Sequence, residues 1–132
     1  MILKKIELIN FRNYEHLSTR FYKGINIIYG DNAQGKTNLL ESIYVLGITK
    51  SHRSFIDNNL IKDNEKRAVI NGSINKGSLD INLNVIIENN KKVLKIDNSS
   101  IRKVSDYISN MNIIIFYPDD LELFKGSPQV RR

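Results

Sequence analysis

Apolar and polar residues alternate along much of this chain, and one stretch switches to helical spacing. Over 2–11, Ile6 and Leu8 fall on one face and Ile9 and Phe11 on the other, which predicts a strand. Over 16–22, Leu17, Thr19 and Phe21 alternate and predict a second. Lys23-Gly24 reads as a turn into a near-continuous apolar run, Ile25-Asn26-Ile27-Ile28-Tyr29, of the kind a buried parallel strand carries. From 36 to 47 the period changes. Leu39, Ile43 and Leu46 recur at helical spacing with Leu40 and Tyr44 beside them, and Gly47 is placed to end the helix. The stretch 49–65 is polar and mixed, and predicts a loop with one short helix. Three strands follow at 67–74, 78–88 and 91–97, with turns at Asn75-Lys76-Gly77 and Asn89-Asn90. Residues 101–110 read as a short helix. Asn112-Ile113-Ile114-Ile115-Phe116 reads as a buried strand that Pro118 ends.

Between the apolar run at 25–29 and the helical pattern lies Gly30-Asp31-Asn32-Ala33-Gln34-Gly35-Lys36-Thr37, which fits G-x-x-x-x-G-K-[ST]. Strand, loop and helix follow in the order that a phosphate-binding loop requires. Triphosphate is a dense anion that needs several converging donors. Gly30 and Gly35 let the backbone approach its oxygens. The amides of residues 32 to 37 then form an anion-binding concavity at a helix N-terminus. Lys36 is expected to reach the β- and γ-phosphates, and the Thr37 hydroxyl to ligate Mg²⁺.

Composition narrows the picture less. At 132 residues and 41% apolar, the chain is one domain or part of one and can bury a core. It has no cysteine, which excludes disulfides and cysteine zinc sites. Lys4 and Lys5 come too early for a secretory signal, and no stretch approaches the ~20 apolar residues of a membrane span, so a cytoplasmic setting is expected. The net charge of +6 is compatible with a polyanionic partner, and equally with a compositional bias toward Asn, Ile and Lys.

Element order discriminates more sharply. A small-molecule kinase continues β-α-β-α after its phosphate loop, whereas a β-meander intervenes here. ATPase heads of the ABC type are built this way. The expected fold is therefore α/β: a P-loop NTPase, a partial ABC-type head with an antiparallel β subdomain. Residues 1–48 and 101–132 would supply core elements and 67–97 the inserted meander, the C-terminal part of the domain being absent.

In that context the flanking residues become recognisable. Leu8-Ile9-Asn10-Phe11-Arg12-Asn13-Tyr14 resembles the opening segment of the RecF family and of related structural-maintenance-of-chromosomes ATPases. Asp31 to Tyr44 is similar to the same group's loop and helix. Ser51-His52-Arg53-Ser54 stands where RecF proteins carry a Ser-Phe-Arg-like motif. Phe116-Tyr117-Pro118-Asp119-Asp120-Leu121-Glu122-Leu123-Phe124-Lys125-Gly126-Ser127-Pro128 resembles a segment typical of that family. The resemblance runs from end to end. It implies a DNA repair and recombination-mediator protein that binds ATP with Mg²⁺, dimerises on ATP and hydrolyses it slowly. It further implies binding to DNA at single-strand/double-strand junctions and action with RecO and RecR to load the recombinase. Full-length relatives are more than twice as long. Their ABC signature, acidic strand-end motif and D-loop would lie beyond Arg132, so no catalytic residue is assigned.

Several residues carry two readings. Arg12 reads as a phosphate contact, as the first-segment Arg is in related ATPases, or as a solvent-facing cation. Asn13 reads as a base or ribose contact or as a turn former. Lys50 and Arg53, with His52, read as a DNA-facing surface or a solvated cluster. His52 lacks a second ligand at metal spacing. Lys91, Lys92 and Lys95 read as phosphate contacts or, preferably, as guards of an edge strand. Asp119 follows four apolar residues as a metal-holding acid would, but Pro118 pushes it past the strand end. Two functional alternatives remain beside the repair ATPase: a small-molecule kinase using the same loop, and, for this chain alone, a non-catalytic nucleotide- or DNA-binding half-domain.

Overall fold

The computed structural model describes residues 1–29 and 35–116. Its elements are β1 Ile2–Phe11, β2 Tyr14–Arg20, α1 Gly35–Ile48, a 3-10 turn at Asp57–Leu60, β3 Arg67–Lys76, β4 Leu79–Glu88, β5 Lys91–Ile96, β6 Ser99–Ile101 and α2 Val104–Ile108. All six strands join one antiparallel sheet in the order β2-β1-β3-β4-β5-β6. The meander therefore continues the first two strands through the β1–β3 ladder.

Short left-handed turns make this sheet possible. Asn89 and Asn90 (φ 53 and 57°) and Asp97 and Asn98 (φ 50 and 70°) form two-residue hairpin loops whose twist matches that of the strands they join. Asn and Asp reach this region at low cost because their short side chains bond locally. The second of these turns, and β6 after it, have no counterpart in the expected elements. β6 pairs with Leu94, Lys95 and Ile96, so Lys95 guards no open edge, while Lys91 and Lys92 lie beyond that short ladder. Lys92 instead donates to the Thr49 carbonyl at 2.7 Å and pairs with Asp57 at 3.3 Å.

One face of the sheet is apolar and one polar. Ile6, Leu8, Ile70, Leu83, Val85, Ile87 and Leu94 are buried on the first, beneath Val45 and Leu46 of α1, Tyr107 of α2 and Met111. Phe11 joins them, contrary to strict alternation. The left-handed Asn10 (φ 52°) interrupts the pleat and turns Phe11 inward, where it bridges Ile61.

α1 spans its expected range, but the stripe it buries is different. Gly35, Asn38, Leu39, Glu41, Ser42, Val45, Leu46 and Gly47 are buried, Ile43 and Tyr44 are half-buried, and Leu40 is exposed. Gly47 does not end the helix. A Cβ there would meet Ile113 Cγ2 at 3.2 Å and Met111 Sδ at 3.4 Å, so this glycine admits the 111–113 segment. The helix runs on to Ile48, and the left-handed residue after it is Thr49 (φ 72°). Its terminal carbonyls find distant partners: Tyr107 Oη donates to Leu46 O at 2.7 Å. Burial pushes the Tyr107 phenol well above its usual range.

Two expected strands are absent. Neither 25–29 nor 112–116 has a ladder partner among the described residues, and Ile25, Tyr29, Ile114 and Phe116 are 91, 88, 83 and 76% exposed. An apolar run carries the composition of a buried strand, but a strand also needs a neighbour to take its N–H and C=O groups. Every described strand pairs within the antiparallel sheet, which offers these runs no such neighbour. α2 is also shorter than the expected 101–110 helix, because β6 takes Ile101.

Candidate nucleotide site

Of the phosphate-loop motif, Gly35, Lys36 and Thr37 are described and open α1; Gly30, Asp31, Asn32, Ala33 and Gln34 lie outside the described residues, as do Asp119 and the rest of 117–132. Gly35 is buried beneath Tyr14. Tyr14 Oη donates to the Gly35 carbonyl at 2.6 Å, and a Cβ on Gly35 would stand 2.8 Å from that oxygen. A side chain at the second motif glycine would displace the Tyr14 hydroxyl from this seat. Burial also raises the Tyr14 phenol above its ordinary value. Lys36 is half-buried and Thr37 exposed on the first helical turn.

The polar face of α1 meets the end of β1 and the 51–54 loop in one network. Arg12 clamps the wholly buried Glu41 from two nitrogens, Nε to Oε1 at 2.8 Å and Nη2 to Oε2 at 2.9 Å. Arg53 Nη1 reaches Glu41 Oε1 at 3.4 Å and Asn38 Oδ1 at 2.7 Å. Asn38 Nδ2 donates to Asn13 Oδ1 at 2.8 Å. Ser51 Oγ donates to Glu41 Oε2 and accepts from the backbone N–H groups of Arg53 and Ser54, which shapes the loop.

Burial alone would raise the Glu41 pKa. Hydrogen bonds from Arg12 and Ser51 and the charges of Arg12 and Arg53 outweigh it, holding the carboxyl below its ordinary value. Arg12 adopts a left-handed backbone (φ 51°), a conformation costing about 1–3 kcal/mol in a non-glycine residue. Its N–H donates to Leu60 O at 2.8 Å, which holds it there. Arg12, Asn13, Asn38 and Arg53, with Asn59, Ile61 and Asp63, line a polar pocket of about 230 Å³.

The structure therefore brings Arg12, Asn13 and Arg53 together beside the helix that bears Lys36 and Thr37. Lys50 is exposed next to this cluster in sequence but takes no part in its hydrogen bonds. Glu41, Asn38, Ser51 and Tyr14 are functional-site neighbours that residue-type reasoning did not single out. A signal existed for the first two. Asn38, Glu41, Ser42 and Val45 fall at i, i+3, i+4 and i+7, one helical face, and that face packs against the sheet.

The chemistry of these donors suits a nucleotide triphosphate. A helix N-terminus that opens Gly-Lys-Thr favours anions, and two guanidiniums stand nearby. Thr37 offers Mg²⁺ a single hydroxyl. That fits a metal that keeps waters and phosphate oxygens as its other ligands. No group of three or more His, Cys, Asp or Glu is placed to hold a metal among the described residues.

The sequence pattern of the RecF/RecN/SMC N terminal domain matches residues 2–120. The chain belongs to that family, on its RecF branch. It is 44% identical over its whole length to the DNA replication and repair protein RecF of Streptococcus suis (strain 05ZYH33). It is 46% identical, again over its whole length, to that of Bacillus mycoides (strain KBAB4). It covers 36% and 35% of those two proteins, so it spans about a third of the length of the curated relatives it matches. Among solved structures, it resembles the recombination mediator protein RecF with ATP in the RecFOR pathway. The TM-score is 0.85 at 32% identity, covering 98% of this chain and 36% of that one. The SMC head domain from Thermotoga maritima shares the fold with a TM-score of 0.63 at 20% identity, over 80% of this chain and 40% of that one. The chain is thus part of a P-loop ATPase head. Among its described residues, no helix is long and apolar enough to cross a membrane.

Proposed function

We propose that this chain is the nucleotide-capturing portion of a DNA repair ATPase of the RecF type. The observation that carries the reading is the seating of Gly35 beneath Tyr14. It holds the Gly-Lys-Thr turn against the sheet, in a chain that closely resembles RecF with ATP. Lys36 neutralises the β- and γ-phosphates, and the amides of the loop and first turn bind their oxygens. Thr37 holds Mg²⁺, which supplies charge neutralisation across the same oxygens. Arg12 and Asn13 border the nucleotide. In the whole protein, ATP joins two heads, and the dimer binds DNA at single-strand/double-strand junctions. It works there with RecO and RecR to load the recombinase. Lys50 faces the DNA, whereas Arg53, its expected companion there, is turned toward the pocket by Asn38 and Glu41.

For the chain as it stands, the reading is capture without efficient turnover, consistent with a site that other segments complete. The six-stranded antiparallel sheet weighs against a small-molecule kinase, whose order after the loop is β-α-β-α.

Titration calorimetry with Mg-ATP and Mg-ADP, on this chain and on Lys36→Met, tests the proposal. Micromolar binding by the parent, lost in the variant, is the expected result. Equal affinity in the two would sink it, because a phosphate loop cannot be indifferent to its lysine.

A further inference from the structure

Glu41 receives more donors than a packing role requires. Two guanidiniums and one hydroxyl converge on its carboxylate from two segments: Arg12 from the end of β1, Arg53 and Ser51 from the loop after α1. These donors occupy both oxygens, close to the full accepting capacity of a carboxylate. Two cations against one anion leave one positive charge on the cluster. Arg12 and Arg53 stay 22% and 32% exposed while Glu41 is fully covered. Asp63 also lines the pocket and balances that charge, but the two guanidiniums stay accessible there while the anion that arranges them is hidden beneath.

Glu41 is also covalently continuous with the phosphate-binding turn. It stands five residues after Lys36 on the same helix, roughly 7.5 Å along the axis at 1.5 Å per residue. A rigid helix thus fixes the spacing between the turn that faces phosphate and the carboxylate that holds the arginines. If only packing mattered, an apolar residue of similar volume would serve as well or better, because buried ion pairs add little net stability.

We propose that Glu41 is a positioning residue for triphosphate capture. It holds Arg12 and Arg53 at the pocket beside the first turn of α1, so that an incoming anion meets two arginines already ordered. The inference rests on the nucleotide reading above. Without Glu41, the nucleotide would have to order both long side chains itself, which lowers affinity.

Mg-ATP binding to the parent chain, Glu41→Gln, the double variant Arg12→Ala/Arg53→Ala, and the triple variant tests it. Glu41→Gln keeps the side-chain volume. It is expected to weaken Mg-ATP binding about tenfold, the cost of ordering one or two arginines. In the background lacking both arginines, the same change should shift the dissociation constant less than twofold. Tighter binding in Glu41→Gln would mean that Glu41 acts only as a repelling charge, and would overturn the proposal. So would an equal effect in both backgrounds. If Glu41→Gln does not fold, Ser51→Ala replaces it. This variant removes one donor from the carboxylate and is expected to weaken binding roughly threefold; no change would count against the proposal.

A readout free of nucleotide separates the two readings. In the parent, the Arg12 Nε–H resonance should exchange slowly with water, and in Glu41→Gln it should exchange quickly. An unprotected signal in a parent that binds Mg-ATP overturns this inference alone. A protected signal in a parent that binds no Mg-ATP overturns the nucleotide reading, and this inference with it.

Discussion

Gly72, in the middle of β3, receives Leu46 of α1, and replacing it with alanine tests how the helix is held. A Cβ at this position would stand 2.2 Å from Leu46 Cδ2 and 3.3 Å from Leu46 Cδ1 and Cγ. Carbon pairs pack best at about 3.5–4.0 Å, so the closest contact is short by well over an ångström. Turning the Leu46 methyl away relieves only part of the crowding, because Leu46 Cγ also stands at 3.3 Å. The helix cannot simply lift away, because Leu46 is fully buried and its carbonyl accepts the Tyr107 hydroxyl at 2.7 Å. Overpacking of this kind costs about 1–3 kcal/mol. The alanine recovers about 0.4–1 kcal/mol by restricting the unfolded chain, since Gly72 has no left-handed φ to preserve. The net expectation is a loss of about 1–2 kcal/mol. Urea unfolding followed by circular dichroism reads this as a midpoint lowered by roughly 0.5–1 M, for a slope near 2 kcal/mol/M. Adding Leu46→Val should recover part of the loss, although Leu46→Val alone destabilises by about 1 kcal/mol. A Gly72→Ala protein as stable as the parent would refute the reasoning, because the helix could then not be seated on the glycine.

Two further outcomes follow from the same geometry. Tyr107→Phe removes a buried hydroxyl that caps the last turn of α1 and should cost about 1–2 kcal/mol in urea unfolding, with an unchanged far-ultraviolet spectrum. An unaltered midpoint would show that the Leu46 carbonyl has another partner. Stability should also fall in acid. The folded Glu41 pKa lies below its unfolded value of about 4.3, so its contribution is complete above that pH and is lost as pH falls through the depressed folded value. Glu7, lowered by hydrogen bonds from His16 and Asn71, adds in the same direction. Thermal melts from pH 7 to pH 3 should therefore decline more steeply for the parent than for Glu41→Gln, and parallel curves would contradict the assignment.

Much of this protein was legible along the chain. Alternation marked β1, β2 and the 67–97 strands, because an antiparallel sheet with one wet face repeats its chemistry every second residue. The Gly-Lys-Thr turn and its helix were legible because a phosphate loop needs those residue types at those spacings wherever it occurs. Other features depended on partners far apart in sequence. The runs 25–29 and 112–116 have the composition of buried strands but no ladder to join among the described residues. Gly47 resembles a helix stop yet serves a contact with Ile113. Lys95 was read as guarding an edge that β6 in fact occupies.

The site divides in the same way. Residue types and spacing by themselves determined the candidate phosphate-binding turn and the helix behind it, and the resemblance to the RecF family added Arg12, Asn13 and Arg53 as candidates. Only the tertiary structure decided that Glu41 joins the two arginines, that Tyr14 closes over Gly35, and that Gly72 receives Leu46. The physical reason is range. Turn chemistry and periodicity act over a few residues, whereas a buried carboxylate's partners and a helix's distance from a sheet are set by residues 10 to 29 positions apart that meet only when the chain folds.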